Sequence, residues 1–369
     1  MEQQEEFHKK MRLSFSEWFR EFGLTDSYKL LQEDKTKEER LTFLNEYIGL
    51  PIFEPSVFLL TDISENAPRF REFRKENRNG IFNLRLIPFD NTRPLLRVKN
   101  VTITNALSWL GRQNIKNNQY TLLFKPFISD VRWSTIFIIN KRGVSGEITK
   151  GFSLKLTVGF YDDQPPITFF YDYKKWKFSE NNQAAENFAR KAIGFLLVKN
   201  GKTQIFLKTK LQTAFIRDYL TGYFECVNTP DSGFIFADFN RVIGRLYSDF
   251  SINCERDKND VLLTGRGASL GVVTGKVKII DLRQLNQKPV DIMSDEILVC
   301  EATTPDYVYL MKKAGGIVTE RGGILCHAAI VSREFKKPCV VNVEGATKVL
   351  RNGDTIQVDA TRGFIKKLP

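Results

Sequence analysis

The run Gly315-Gly316-Ile317-Val318-Thr319-Glu320-Arg321-Gly322-Gly323-Ile324-Leu325-Cys326-His327-Ala328-Ala329-Ile330-Val331-Ser332-Arg333-Glu334 constrains this chain more than any other segment. Gly315 to Thr319 reads as a buried strand, Gly322-Gly323 as a tight turn, and Leu325 to Phe335 as a short helix packed through Ala328, Ala329 and Val331. His327 is one of only two histidines in 369 residues, and the other, His8, lies in a polar N-terminal stretch. It falls in the first helical turn, where free N–H groups and the positive end of the helix dipole favour an anion. Imidazole is a nucleophile near neutral pH and can carry a phosphoryl group on a ring nitrogen. A lone histidine at a helix start is otherwise a cap or a packing residue, so its neighbours must decide.

Those neighbours resemble the phosphohistidine swivelling domain of the phosphoenolpyruvate-utilising enzymes, a family that includes phosphoenolpyruvate synthase, pyruvate phosphate dikinase and rifampicin phosphotransferase. The resemblance is carried by Thr319, Gly322, Gly323, His327, Ala328, Ala329, Arg333 and Glu334. Upstream, 268–277 looks like the domain's opening hairpin, and 296–306, with Thr303-Thr304-Pro305-Asp306, like its strand and turn. Downstream, Pro338 to Val343, Ala346-Thr347, Gly353-Asp354 and Val358-Asp359 fall in the family's order. The resemblance implies a β/β/α domain over 262–369, with His327 transiently phosphorylated and at least partly open to solvent. It implies that Thr319, Gly322, Gly323 and Arg333 complete the catalytic set. Arg333 projects about 120° around the helix from His327, toward a phosphate donor or a partner domain. Glu301, Glu320-Arg321 and Ala360 depart from the usual pattern; none removes the nucleophile.

With 42% apolar residues the chain has room for two or three domains. No apolar stretch approaches about 18 residues, which argues against a membrane span, and the opening Glu2-Gln3-Gln4-Glu5-Glu6 resembles no targeting peptide. Five cysteines without C-x-x-C spacing argue against a zinc site or a disulfide framework and point to a reducing, cytoplasmic setting. The formal charge of +12 suggests nucleic acid at first. The excess is spread: residues 265–369 hold 16 Lys+Arg and 11 Asp+Glu, the remainder 39 and 32. Without a recognisable motif, this implies affinity for nucleotides and phosphates rather than for nucleic acid.

Residues 1–48 carry apolar residues at helical spacing (Phe15, Trp18, Phe19, Phe22, then Tyr28, Leu30, Leu31) and read as short helices. From Pro51 the texture becomes alternating strands at 56–60, 82–87, 120–124 and 135–139, with helices at 105–112 and 182–198. An α+β domain over 49–250 follows, then a polar linker over 251–261 that serves a mobile domain or an ordinary boundary equally well.

This domain resembles, more weakly, part of an ATP-grasp domain. The likeness rests on strands from Leu122, the segment Gly146-Glu147-Ile148-Thr149-Lys150-Gly151, the stretch Leu156-Thr157-Val158-Gly159, and a terminal hairpin at 224–227 and 236–240. It implies ATP and Mg²⁺ as cofactors, with Glu225, Asp238 and Asn240 at the metal and Glu147 near the nucleotide. Carboxylate and carboxamide oxygens suit Mg²⁺ shared with phosphates. The same residues also fit the solvent face of an edge hairpin. Arg85, Arg93, Arg97 and Lys99 form either a polyphosphate site, with Arg85 and Arg97 as its forks, or an exposed charged strand pair. A long first ATP-grasp lobe does not fit before residue 120, nor a phosphoenolpyruvate-binding barrel after the swivelling domain. A separate subunit carrying either is therefore an expected partner, besides a nucleotide and a small-molecule phosphoryl acceptor. Two functions remain open: a phosphotransferase or phosphotransferase subunit, and a non-catalytic carrier or regulatory protein charged by another enzyme.

Overall fold

The computed structural model describes residues 27–90, 93–113, 115–116, 119–152, 156, 165–252, 261–287 and 290–368. His8, the aromatic stretch 15–22, residues 157–159 and linker residues 253–260 lie outside them. The chain begins with helices Ser27–Lys35 and Lys37–Ile48. Gly49, at φ +67°, ends the second in the left-handed region that favours glycine.

A four-stranded antiparallel sheet follows, in the order β1 (Ser56–Leu59), β4 (Tyr120–Pro126), β2 (Ile81–Pro88), β3 (Leu96–Thr102). Strict alternation in β2 splits the sheet into two faces. Phe82, Leu84 and Leu86 join Phe58, Phe70, Phe73, Leu122 and Phe124 in a core of their own. Arg85 stands on the opposite face with its register partner Arg97.

The second sheet is wholly antiparallel, ordered β12 (Gly233–Asn240), β11 (Gly222–Thr229), β5 (Trp133–Asn140), β6 (Gly143–Lys150), β7 (Ile167–Tyr171), β8 (Trp176–Phe178), with a small hairpin of β9 (Phe215–Ile216) and β10 (Tyr219–Leu220) beside it. One face, with Phe137, Ile139, Phe224 and Phe239, is covered by helices Gln183–Gly194 and Gly201–Leu211. Asn182 and Asn200 cap those helices through their side chains. The other face, with Ile136, Ile138 and Tyr223, packs against the C-terminal domain.

That domain holds an eight-stranded mixed sheet, ordered β13 (Leu263–Thr264), β20 (Phe364–Lys367), β19 (Thr355–Asp359), β15 (Val272–Ile279), β16 (Glu296–Cys300), β17 (Gly316–Thr319), β18 (Cys339–Val341), β14 (Arg266–Ser269). Its centre, β15 to β18, is parallel. Val277, Val299, Val318 and Val340 fill one face, and Leu298, Cys300, Ile317 and Cys339 the other. The helix His327–Glu334 lies on the second face. One apolar cluster therefore runs from that helix to the second sheet, so the two domains are docked. The molecule is an α+β multidomain chain.

Candidate active site

The helix predicted over 325–335 begins at His327 itself, with Cys326 in extended conformation at the cap. The turn before it is built locally. Thr319 Oγ1 donates to the Arg321 carbonyl at 2.7 Å, and Gly322 sits at φ +121°, against the Cys326 sulfur. Thr319, Gly322 and Gly323 thus shape the approach to His327. The expected solvent exposure is corrected: His327 is only 5% exposed. Residues of the N-terminal part pack on this segment: Glu147 lies against Gly323, Tyr247 reaches the Ile324 carbonyl, and Tyr247 and Phe250 stack on Arg333. Burial lowers the imidazole pKa to about 3 and so keeps the ring neutral with a nucleophilic lone pair. The same burial raises the Cys326 thiol to about 12, which leaves it unreactive.

The docking contacts are specific. Tyr247 Oη donates to the Ile324 carbonyl at 2.9 Å. The Arg333 guanidinium stacks on Tyr247 and Phe250, 4.0 and 4.3 Å from their ring centres. Arg333 thus meets the other domain, as its angle on the helix implies. Asn140 Nδ2 fixes this aromatic pair by donating to the Phe250 carbonyl at 2.8 Å and to that of Tyr247 at 2.5 Å.

Glu147, expected beside a nucleotide, lies in this interface. Its carboxylate is fully buried, and Oε1 accepts from Arg266 Nη1 of β14 at 2.8 Å. Burial raises its pKa, while Arg266 and the N–H groups of Ile324 and Leu325 act against that rise. A residue read from its own strand is here matched to a strand of the other domain.

Register gives the site its order. Glu147 pairs with Ile136, Ile136 with Glu225, and Glu225 with Asp238. Directly paired residues share a face, so these four form one row across the sheet on the side where the C-terminal domain docks. Glu147 stands two strands from Glu225, about 10 Å at the usual strand spacing. Tyr223 Oη donates to Glu225 Oε1 at 2.6 Å. Asp238 Oδ1 is buried without a hydrogen-bond partner, and its carboxyl is pushed up to about 7, chiefly by burial, with Lys37 lowering it and Glu225 raising it.

Arg85 belongs to the same charge field. Burial opposes its charge, but Asp34, Glu38 and Asp238 outweigh that and raise its pKa. It donates to Asp34 Oδ1 at 2.9 Å, and Lys125 donates to Glu38 Oε2 at 2.7 Å. Arg97 stands beside Arg85 across β2 and β3. Asn240, expected at the metal, uses its Oδ1 to accept from the Ile243 N–H at 2.8 Å and so caps the helix Arg241–Leu246. That leaves Glu225 and Asp238 as the carboxylate pair. Among the described residues no cluster of three or more His, Cys, Asp or Glu is arranged to hold a metal alone. A pair suits Mg²⁺, which completes its shell with water and phosphate oxygens, and the orphaned Asp238 oxygen fits that use. Asp34, Lys37, Glu38, Lys125, Tyr223, Tyr247 and Arg266 carried no motif, and only the fold reveals them. Also among the described residues, no helix is long and apolar enough to cross a membrane.

Comparison with known proteins fits this geometry. Residues 292–363 match the family described as PEP-utilising enzyme, mobile domain. A probable phosphoenolpyruvate synthase of Methanothermobacter thermautotrophicus is 45% identical over 112 residues, 30% of this chain and 16% of that protein. Phosphoenolpyruvate synthase of Pyrococcus furiosus is 44% identical over 114 residues, 31% and 14% of the two chains. The matched part of the chain thus spans about a sixth of the length of these relatives. Among solved structures, the VanG D-Ala:D-Ser ligase of Enterococcus faecalis aligns over 57% of this chain and 53% of its own at 11% identity, but its TM-score of 0.29 gives that likeness no weight. The match covers residues 292–363, so the likeness to the mobile domain of PEP-utilising enzymes holds for the part of the chain that carries His327.

Proposed function

We propose that the chain is a phosphotransferase, or a subunit of one, in which His327 takes a phosphoryl group from a nucleotide bound in an ATP-grasp-like domain and carries it to a small-molecule acceptor. One observation carries the reading: the loop before His327 is docked on the sheet face that bears the Glu225–Asp238 pair. A bound Mg²⁺ would supply charge neutralisation between nucleotide phosphates and these carboxylates. Arg85 and Arg97 would hold phosphate oxygens from the facing lobe. The neutral ring of His327 would form an N–P bond as the P–O bond to the leaving phosphate breaks, that oxygen keeping the electron pair. Burial excludes water, which would otherwise compete as acceptor.

The carrier reading has its own support. Arg85 and Lys125 already face Asp34 and Glu38, and Asn240 is committed to a helix cap. Incubation with ATP labelled separately at the β and γ positions separates the two. Acid-labile, alkali-stable label on the purified chain, absent from His327→Ala, is the outcome expected of a phosphotransferase. Label that appears only when a second enzyme is added supports the carrier.

A further inference from the structure

Glu147 has no role in the site so far, yet it is a fully buried carboxylate in the middle of a sheet. Arg266 Nη1 donates to its Oε1 at 2.8 Å, while Arg266 Nη2 donates to the Pro166 carbonyl at 2.9 Å. Oε2 has no hydrogen-bond partner and lies against Gly323. A side chain added at Gly323 would run into this carboxylate. The two glycines of the turn thus differ in kind. Gly322 is required by its left-handed backbone, whereas Gly323 lies outside that region and is required by the approach of Glu147. Buried ion pairs seldom stabilise more than well-packed apolar groups, so packing alone gives no reason for a carboxylate here. Its directional reach toward the loop does.

We propose that Glu147 is a positioning residue for phosphoryl transfer: it seats the Gly322–Leu325 loop on the sheet that carries Glu225 and Asp238, and so fixes His327 relative to the nucleotide. The transfer step rests on the phosphotransferase reading; the seating of the loop does not.

The test uses the full chain and its Glu147→Gln, Arg266→Gln and Gly323→Ala variants. Carbethoxylation of His327 by diethyl pyrocarbonate, read by peptide mass spectrometry, reports whether the loop is seated. The variants are expected to react about tenfold faster or more than the wild type, because each breaks a buried contact. Glu147→Gln is nearly isosteric, and a retained thermal transition shows that it folds even if Gly323→Ala does not. The second readout is the rate of His327 phosphorylation as the Mg-nucleotide concentration is varied. A lower maximal rate at unchanged KM is expected of a positioning residue. A raised KM with unaltered carbethoxylation would show that Glu147 binds nucleotide and would overturn the proposal. So would carbethoxylation as slow as in the wild type throughout. If no nucleotide phosphorylates the wild type, the transfer reading falls, and the carbethoxylation ratio alone decides whether Glu147 seats the loop.

Discussion

At the scale of single residues the chemistry turns on groups whose charge is set by burial. His327 is held neutral, and His327→Ala should abolish phosphorylation at a cost of about 1–2 kcal/mol in stability, as for truncation of a buried side chain; label incorporation and thermal melts check the two parts separately. Asp238 titrates near 7 because burial disfavours its charge. Mg-nucleotide affinity should therefore climb as pH rises through about 7, where the carboxylate forms, and titrations at pH 6 and pH 8 should show it. The sign reverses for stability. A carboxyl with a raised folded pKa stabilises the fold fully only below its unfolded value of about 4 and loses that contribution as pH rises through 7. Asp238→Asn should thus melt no lower than the wild type at pH 8 without metal, while binding nucleotide more weakly. His327 was legible in the sequence because a Gly-Gly turn and a small-residue helix are local signals. Its burial was not, because Glu147, Tyr247 and Phe250, which pack on the same loop and helix, are remote in sequence. The contacts of Glu147 were not legible for the same reason: its partner Arg266 lies 119 residues away.

At the scale of elements, the helix His327–Glu334 starts without a side-chain cap, since the Cys326 thiol makes no capping hydrogen bond. Cys326→Ser should be neutral or stabilise by up to about 1 kcal/mol, because serine is a preferred cap residue. Gly322→Ala should cost about 1–3 kcal/mol, through both its φ of +121° and the nearby Cys326 sulfur; urea melts of the two variants check both values. Most strands were legible from alternation, β2 and β5 among them, as was the hairpin that brings Glu225 opposite Asp238. The end of that hairpin was not. Asn240 reads as a strand residue aimed at a metal, but the chain turns into a helix directly after it and uses the carboxamide as the cap.

At the scale of the whole molecule, the sequence pattern supplied the parts but not their docking. Ile136 and Ile138 fall in the strand read at 135–139, and only the structure shows that they share a core with Tyr223 and with the domain carrying His327. That docking should respond to acid. A histidine with a depressed folded pKa contributes its full share above its unfolded value of about 6.5 and loses it as pH falls toward about 3. Small-angle scattering should therefore show the molecule opening on that descent, and His327→Ala should open less steeply. The proposed function requires that the chain's own Glu225–Asp238 face charges His327 while the domains are docked. Mass spectrometry of the His327 peptide after incubation with Mg-nucleotide tests it most directly. One added phosphoryl group in the wild type, lost in Asp238→Asn and in Glu225→Gln, is the result expected. An unmodified His327 with every nucleotide, or equal modification in the carboxylate variants, would contradict it.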